Sequence, residues 1–262
     1  MTIADISIFD IFITGGLLLL LGMLSLILQL QITKPLFVAL TRSIIQLTLV
    51  GYLLRWLFNI HSMVLLFLVI IGMTFIGAQA SVGRLGRRYK GIFWDSLLSI
   101  ALSCWLTISF AILIILGDDS WNDARYLIPF AGILIGNSLT GISLGLGHFN
   151  SSLPVHQKKI EMLLAYGASS WEASKKLIIQ SFSQATTPIL NSMTVAGIVS
   201  LPGVMTGQLL VGVDPALAAR YQIVILFLIA AATSIGSLLS IYLSFRRHFH
   251  GRFHRMQLET LT

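Results

Sequence analysis

Residues 161–176 read EMLLAYGASSWEASKK, a segment holding Glu161, Glu172, Lys175 and Lys176 between long apolar stretches. Its surroundings decide how it is read. Of the 262 residues, 56% are hydrophobic and 10% are charged, and the mean hydropathy is +0.88. A soluble domain carries about 25% charged residues. This chain has more apolar surface than it can bury within itself, so its solvent is lipid. The segment is a polar interruption in a polytopic membrane protein.

Outward from it, seven apolar segments stand at 10–30, 36–58, 62–80, 92–116, 127–147, 188–212 and 221–245. A helix of about 20 apolar residues crosses the hydrocarbon core, whereas a lone strand leaves its backbone unpaired there. The sequence therefore predicts an all-α fold: a polytopic membrane helix bundle of about seven transmembrane helices, forming one transmembrane domain over 1–262. The first run follows Asp5 and Asp10, with no Lys or Arg before it and no small-residue cleavage site after it, and reads as a retained span.

Basic residues orient the bundle. Lys34, the group Arg84, Arg87, Arg88 and Lys90, the group Lys158, Lys159, Lys175 and Lys176, and the group Arg246, Arg247, Arg252 and Arg255 all fall on one side if the spans alternate. Arg125 and Arg220 fall on the other, with Asp5, Asp118, Asp119, Asp123 and Asp214. The expectation is a plasma-membrane protein with its N-terminus outside and a basic cytoplasmic tail at 246–262. Trp121, Tyr126 and Tyr221 suit the outer interface; Tyr89, Trp94 and Tyr242 suit the inner one. The net charge of +7 thus reflects topology and gives no reason to expect nucleic acid as a partner.

The connection at 148–187 is the long cytoplasmic loop, and the opening segment lies in it. Val155 to Tyr166 suits a helix. Gly167 offers a left-handed stop. Ser169 and Glu172 form a capping box for a second helix, which the Glu172–Lys176 spacing supports. Helix, break, helix is a pattern suited either to an interfacial hairpin or to docking a cytoplasmic partner.

Polar groups inside the spans are costly and face protein or a water-filled path. Arg42 and Gln46 share a face of the second span. Asn137-Ser138-Leu139-Thr140 in the fifth is echoed by Asn191-Ser192-Met193-Thr194 in the sixth, with Asn137 near mid-span and Asn191 near the inner end. These groups serve either as interhelical glue or as a translocation path; for the path the candidates are Gln46, Asn137, Ser138, Asn191, Ser192, Met193, Met205 and Gln208. Pro202-Gly203 predicts a kink or unwinding in the sixth span, a candidate hinge. The glycine pairs at 132/136 and 141/145 are weak signals.

Candidate metal ligands are sparse. No Asp, Glu or His lies deep in a span, which leaves Met193, Met205 and Cys104 as soft donors; the metal site is unknown. Cys104 is the one cysteine, which excludes an internal disulfide. His148 and His156 read as solvated loop residues. Without a His-Glu-x-x-His motif or an intramembrane Asp pair, no enzyme is expected. Without Gly-x-x-x-x-Gly-Lys-Ser/Thr, the chain has no phosphate-cradling loop of its own.

Glu161 with Gly167 six residues on looks like the coupling motif of ABC-transporter permeases, although Met162 and Leu163 replace its two alanines and no Leu-Pro pair follows. The stretches GNSLTGISLGL (136–146), NSMTVAGIVSLPGVMTGQLLVGVDP (191–215) and RYQIVILFLI (220–229) resemble the FetB family, permease subunits assigned to iron-export ABC transporters. The resemblance implies a homodimeric permease for iron or another metal ion, served by a separate ATPase subunit that carries the ATP and Mg. Glu161, Gly167, Ser169 and Glu172 would be the coupling residues. Plant relatives linked to aluminium tolerance and nucleotide-sugar movement keep an organic or chelated cargo open, and a stand-alone channel or secondary carrier is the remaining alternative.

Overall fold

A computed structural model describes residues 7–30, 32–58, 62–113 and 124–249. Asp5, Asp118, Asp119, Trp121, Asp123, Arg252, Arg255 and most of the 246–262 tail lie outside the described residues. Among the described residues the chain is all-α, and it divides into two compact units.

The first unit spans residues 1–61 with 210–212 and holds α1 (Ile8–Ile27) and α2 (Thr33–Leu57). Ser7 and Asp10 start α1 with a reciprocal capping box. The turn between the helices uses Gln29 at φ 53°, and the Thr33 hydroxyl donates to Ser25 Oγ at 3.0 Å. Leu17, Leu26, Leu47 and Leu49 are among many large apolar residues left exposed, as lipid solvation requires.

The second unit spans 62–209 with 213–262. It holds α3 (Met63–Gly83), α4 (Ile92–Ala111), α5 (Ala124–Val155), α6 (Gln157–Ala165), α7 (Ser170–Val195), most of α8 (Gly203–Leu210), and α9 (Pro215–His248). α5 is the hub, packed on α3, α4, α7 and α9. Small residues make the crossings close. A side-chain carbon on Gly77 would meet Ile135, one on Gly141 would meet Thr233 and Ser237, and one on Gly236 would meet Ser103. Hydroxyls fill the same seams: Ser81, Ser96, Ser99, Ser103, Ser237 and Ser240 are all fully buried.

The span pattern is borne out in part. α2, α3, α4, α5 and α9 are long and apolar enough to cross a membrane, and α1 carries a shorter apolar stretch, Ile13–Ile27. The expected sixth span, 188–212, is not one helix. α7 ends at Val195, residues 196–202 leave helical geometry, and α8 is only 8 residues long. The expected loop at 148–187 is almost wholly helical, because α5 runs on to Val155 and α7 begins at Ser170. Pro154 stands in the last turn of α5, where its ring removes a helix donor, and His156 makes the bend into α6.

Candidate functional site

The break between α6 and α7 is built by local chemistry. Gly167 takes φ +87°, and the amides of Gly167 and Ala168 donate to the carbonyls of Leu164 and Leu163 at 3.0 Å each, a Schellman turn. Ser169 Oγ accepts from the Glu172 amide at 3.3 Å, while the Glu172 carboxylate accepts from the Ser169 amide at 2.8 Å and hydroxyl at 2.7 Å. Those donors hold Glu172 below the ordinary carboxylate range. Glu161 is exposed and accepts from Gln157 Nε2 at 2.8 Å. Beneath the hairpin Ile160, Leu177 and Ile178 join Phe149, Leu153 and Phe245 in an apolar cluster. Above it Met162, Tyr166 and Trp171 are exposed.

From this hairpin α7 runs as one helix of 26 residues, with Pro188 inside it removing one backbone donor, about 39 Å at 1.5 Å per residue. Its exposed residues include Gln180, Gln184, Thr187, Asn191 and Thr194, spaced by fours and threes and so on one face. Leu177, Ile178, Ala185 and Ile189 are buried on the other. A polar stripe of this kind is out of place against lipid and belongs against protein or water.

Where α5, α7 and α9 meet, a cavity of about 50 Å³ is lined by Asn137, Thr140, Pro188, Ser192 and Thr233, among others. Asn137 Nδ2 donates to the Ile133 carbonyl at 2.8 Å, Thr140 Oγ1 to Gly136 at 3.0 Å and Ser192 Oγ to Pro188 at 2.9 Å. Thr233 is 3% exposed, and its hydroxyl has no hydrogen-bond partner.

Of the expected path residues, this cavity brings together Asn137 and Ser192. Asn191 is exposed on the stripe, and Met193 is half-buried beside it. The inner-end placing expected for Asn191 does not hold, because α7 starts well before it and carries it alongside mid-α5. Ser138 turns away and is buried, with Cys104 Sγ 3.6 Å from its Oγ. Gln46 and Arg42 are exposed on α2, in the first unit. Gln208 Oε1 is buried without a partner.

Residues 196–202, up to and including Pro202, are unwound, and Gly203 opens α8. The helix stops at Val195 before Gly197, which takes φ +82° and whose amide donates to the Ser200 carbonyl at 2.8 Å. Pro202 precedes α8 and accepts from the Thr206 amide at 3.0 Å. The Met205 amide, near the start of α8, donates to Gln222 Oε1 of α9 at 3.3 Å. Gln222 is 5% exposed, so a side chain from α9 satisfies an amide that an eight-residue helix cannot.

Two features escape sequence reasoning. His148 is not a solvated loop residue: it is half-buried in α5, its Nδ1 3.0 Å from Ser181 Oγ of α7. The second is a charge clamp. Asp95 in the first turn of α4 is 5% exposed. Arg247 in the last turn of α9 grips both its oxygens, Nη2 donating to Oδ1 at 2.8 Å and Nε to Oδ2. The Tyr89 hydroxyl donates to Asp95 Oδ2 at 2.8 Å, and burial, with the Asp95 charge, pushes that phenol above its ordinary range. Asp95 at a helix start and Arg247 at a helix end were the available signals, but nothing local pairs them. Among the described residues no group of three or more His, Cys, Asp or Glu is placed to hold a metal ion.

A family model described as "Uncharacterised protein family (UPF0014)" matches residues 8–249. The UPF0014 membrane protein slr1647 of Synechocystis is 32% identical over 90% of this chain and 92% of its own length. The Escherichia coli protein named "Probable iron export permease protein FetB" is 30% identical over 86% of this chain and 85% of its own. The Arabidopsis thaliana protein ALUMINUM SENSITIVE 3 is 25% identical over 84% and 80%. No solved structure matches the chain.

Proposed function

The chain belongs to the UPF0014 family, and from that premise we propose that it is the membrane permease subunit of an ATP-driven ABC transporter exporting iron or another metal ion. In this reading two copies pair in the bacterial inner membrane, with N-termini outside and C-termini in the cytoplasm. A separate ATPase subunit binds ATP and Mg and seats against the α6–α7 hairpin through Glu161, Gly167, Ser169 and Glu172. The bound protein supplies force, and this chain supplies the path.

One observation carries the reading: α7 is a single rod. Its capped start is the hairpin, and its far half bears the polar stripe and Ser192 at the cavity. A displacement of the hairpin by a soluble motor is therefore carried along one continuous helix to the cavity wall, where Pro188, which lacks the donor for its turn, is the point at which that helix can bend. The similarity to a protein named as an iron export permease supports the metal cargo.

The test is co-purification with a cognate ATPase, reconstitution in liposomes, and a screen of hydrolysis against metals, chelates and nucleotide sugars. Gly167→Pro and Glu161→Lys are expected to lower cargo-stimulated hydrolysis while the chain stays in the membrane. Hydrolysis and transport unchanged in both variants overturn the docking role. Transport in vesicles holding this chain alone assigns it to channels or secondary carriers instead.

A further inference from the structure

The electrostatics beside the cavity select against a bare metal ion. Arg84 leaves α3 as its C-cap residue, and its guanidinium runs along α5 so that Nη1 donates to Thr140 Oγ1 at 3.4 Å. Thr140 is itself a wall of the cavity. Arg84 is exposed and does not itself line the cavity, but among the described residues no carboxylate lies within 4.0 Å of it, so an unpaired guanidinium stands one residue away from the cavity, behind Thr140.

The cavity offers that charge no competition. Its polar walls are Asn137, Thr140, Ser192 and Thr233, all neutral. No Asp, Glu, His, Cys or Met lines it. Hard cations are held by carboxylates with carbonyls and waters, and first-row transition ions by imidazole, carboxylate or thiolate. A naked divalent ion in the cavity would meet only neutral oxygens, with the nearest charge the like-signed guanidinium of Arg84 beyond Thr140. An oxyanion meets the opposite situation. The guanidinium is a fork of five donors matched to carboxylate and phosphate, and charge-assisted bonds of this type are the strong ones.

We infer that the cargo meeting this cavity is a multivalent oxyanion, either free or as the ligand shell of a metal ion, and that Arg84 recognises it. The inference rests on the permease reading and narrows it: iron would cross as an anionic complex. The same region places Thr140 as the residue that orients the guanidinium.

The test uses the full-length permease in detergent, where cargo binding is read as a thermal-shift titration that needs no ATPase. The probes are ferric citrate, citrate alone, inorganic phosphate and ferrous chloride under reducing conditions. At least one oxyanion probe is expected to raise the unfolding midpoint. In Arg84→Gln its half-saturating concentration should rise about tenfold, the scale of one lost charge-assisted hydrogen bond. Arg84→Lys should recover part of the loss, and Thr140→Val should weaken binding with the charge retained. Response to ferric citrate alone identifies the metal complex, and equal response to citrate or phosphate identifies the free anion. Binding of ferrous chloride that Arg84→Gln preserves or strengthens overturns the inference, as does the absence of a response to every oxyanion probe. Loss of coupling in Gly167→Pro reads the permease reading separately, so the two failures are distinguishable.

Discussion

Asn137 of α5 and Ser192 of α7 line one cavity because Gly141, one turn beyond Asn137, lets the helices close on each other. A methyl group on Gly141 would stand 2.5 Å from Thr233 Cγ2, 2.7 Å from Ser237 Oγ and 3.3 Å from the Ala185 carbonyl. The last of these is backbone and cannot swing aside. Gly141→Ala should therefore lower stability by about 1–3 kcal/mol, the usual cost of overpacking. Gly136→Ala is the matched control, since nothing lies within 4 Å of its added carbon. Thermal unfolding in detergent separates the two, and equal midpoints would show that the α5 crossing is not tight.

How much of this was legible in the sequence follows from the range of each interaction. Gly167, Ser169 and Glu172 act within a few residues, and the hairpin they form could be read directly. Apolar length alone marked α2, α3, α4, α5 and α9. α7 was hidden because Gln180, Gln184, Thr187 and Asn191 lower its hydropathy, so only its second half resembled a span. Which member of the Asn-Ser-x-Thr echo meets Asn137 depends on the register between α5 and α7. That register is set by contacts of Gly141 and Gly145 with Ala185, and a hydropathy pattern does not contain it. The same holds for Asp95 and Arg247, 152 residues apart.

The clamp between those two residues should respond unequally to its two halves. Asp95 is buried, while the Arg247 side chain is 45% exposed. Arg247→Met strands a buried carboxylate with only the Tyr89 hydroxyl to serve it, a loss of about 3 kcal/mol at the low end for broken buried pairs. Asp95→Asn leaves an arginine that reaches water and should cost less. The double variant should recover most of the loss from Arg247→Met. Unfolding midpoints of the four proteins form the cycle, and equal single-variant losses would contradict the burial asymmetry.

The cap at Ser169 should be sensitive to acid in a defined direction. Ser169 holds the folded-state pKa of Glu172 below its unfolded value, which is about 4.3 for glutamate. The contribution of the carboxylate is thus fully present above that pH and is lost as pH falls through the lowered folded value. Hydrogen exchange, expressed as protection of the amides at the start of α7, should drop over that window in the wild type. Glu172→Gln should flatten the pH dependence, since an amide cannot titrate. A wild-type profile with no acid limb would remove the carboxylate from the cap.

The unwound stretch before α8 sets the last expectation. Pro202 alone does not interrupt a helix here, because Gly197 already takes φ +82° five residues earlier and α7 has ended at Val195. Pro202→Ala should accordingly change little by itself. Gly197→Ala with Pro202→Ala penalises the left-handed turn and restores a donor, and should favour extension of α7 toward α8. If the break is the joint on which the α7 end moves, transport in proteoliposomes should slow several-fold while cargo binding is retained. Gln222→Leu should act oppositely: removing the acceptor 3.3 Å from the Met205 amide frees the start of α8 and should raise its hydrogen exchange. Wild-type transport in the double variant, at normal membrane abundance, would reduce the break to a feature of packing.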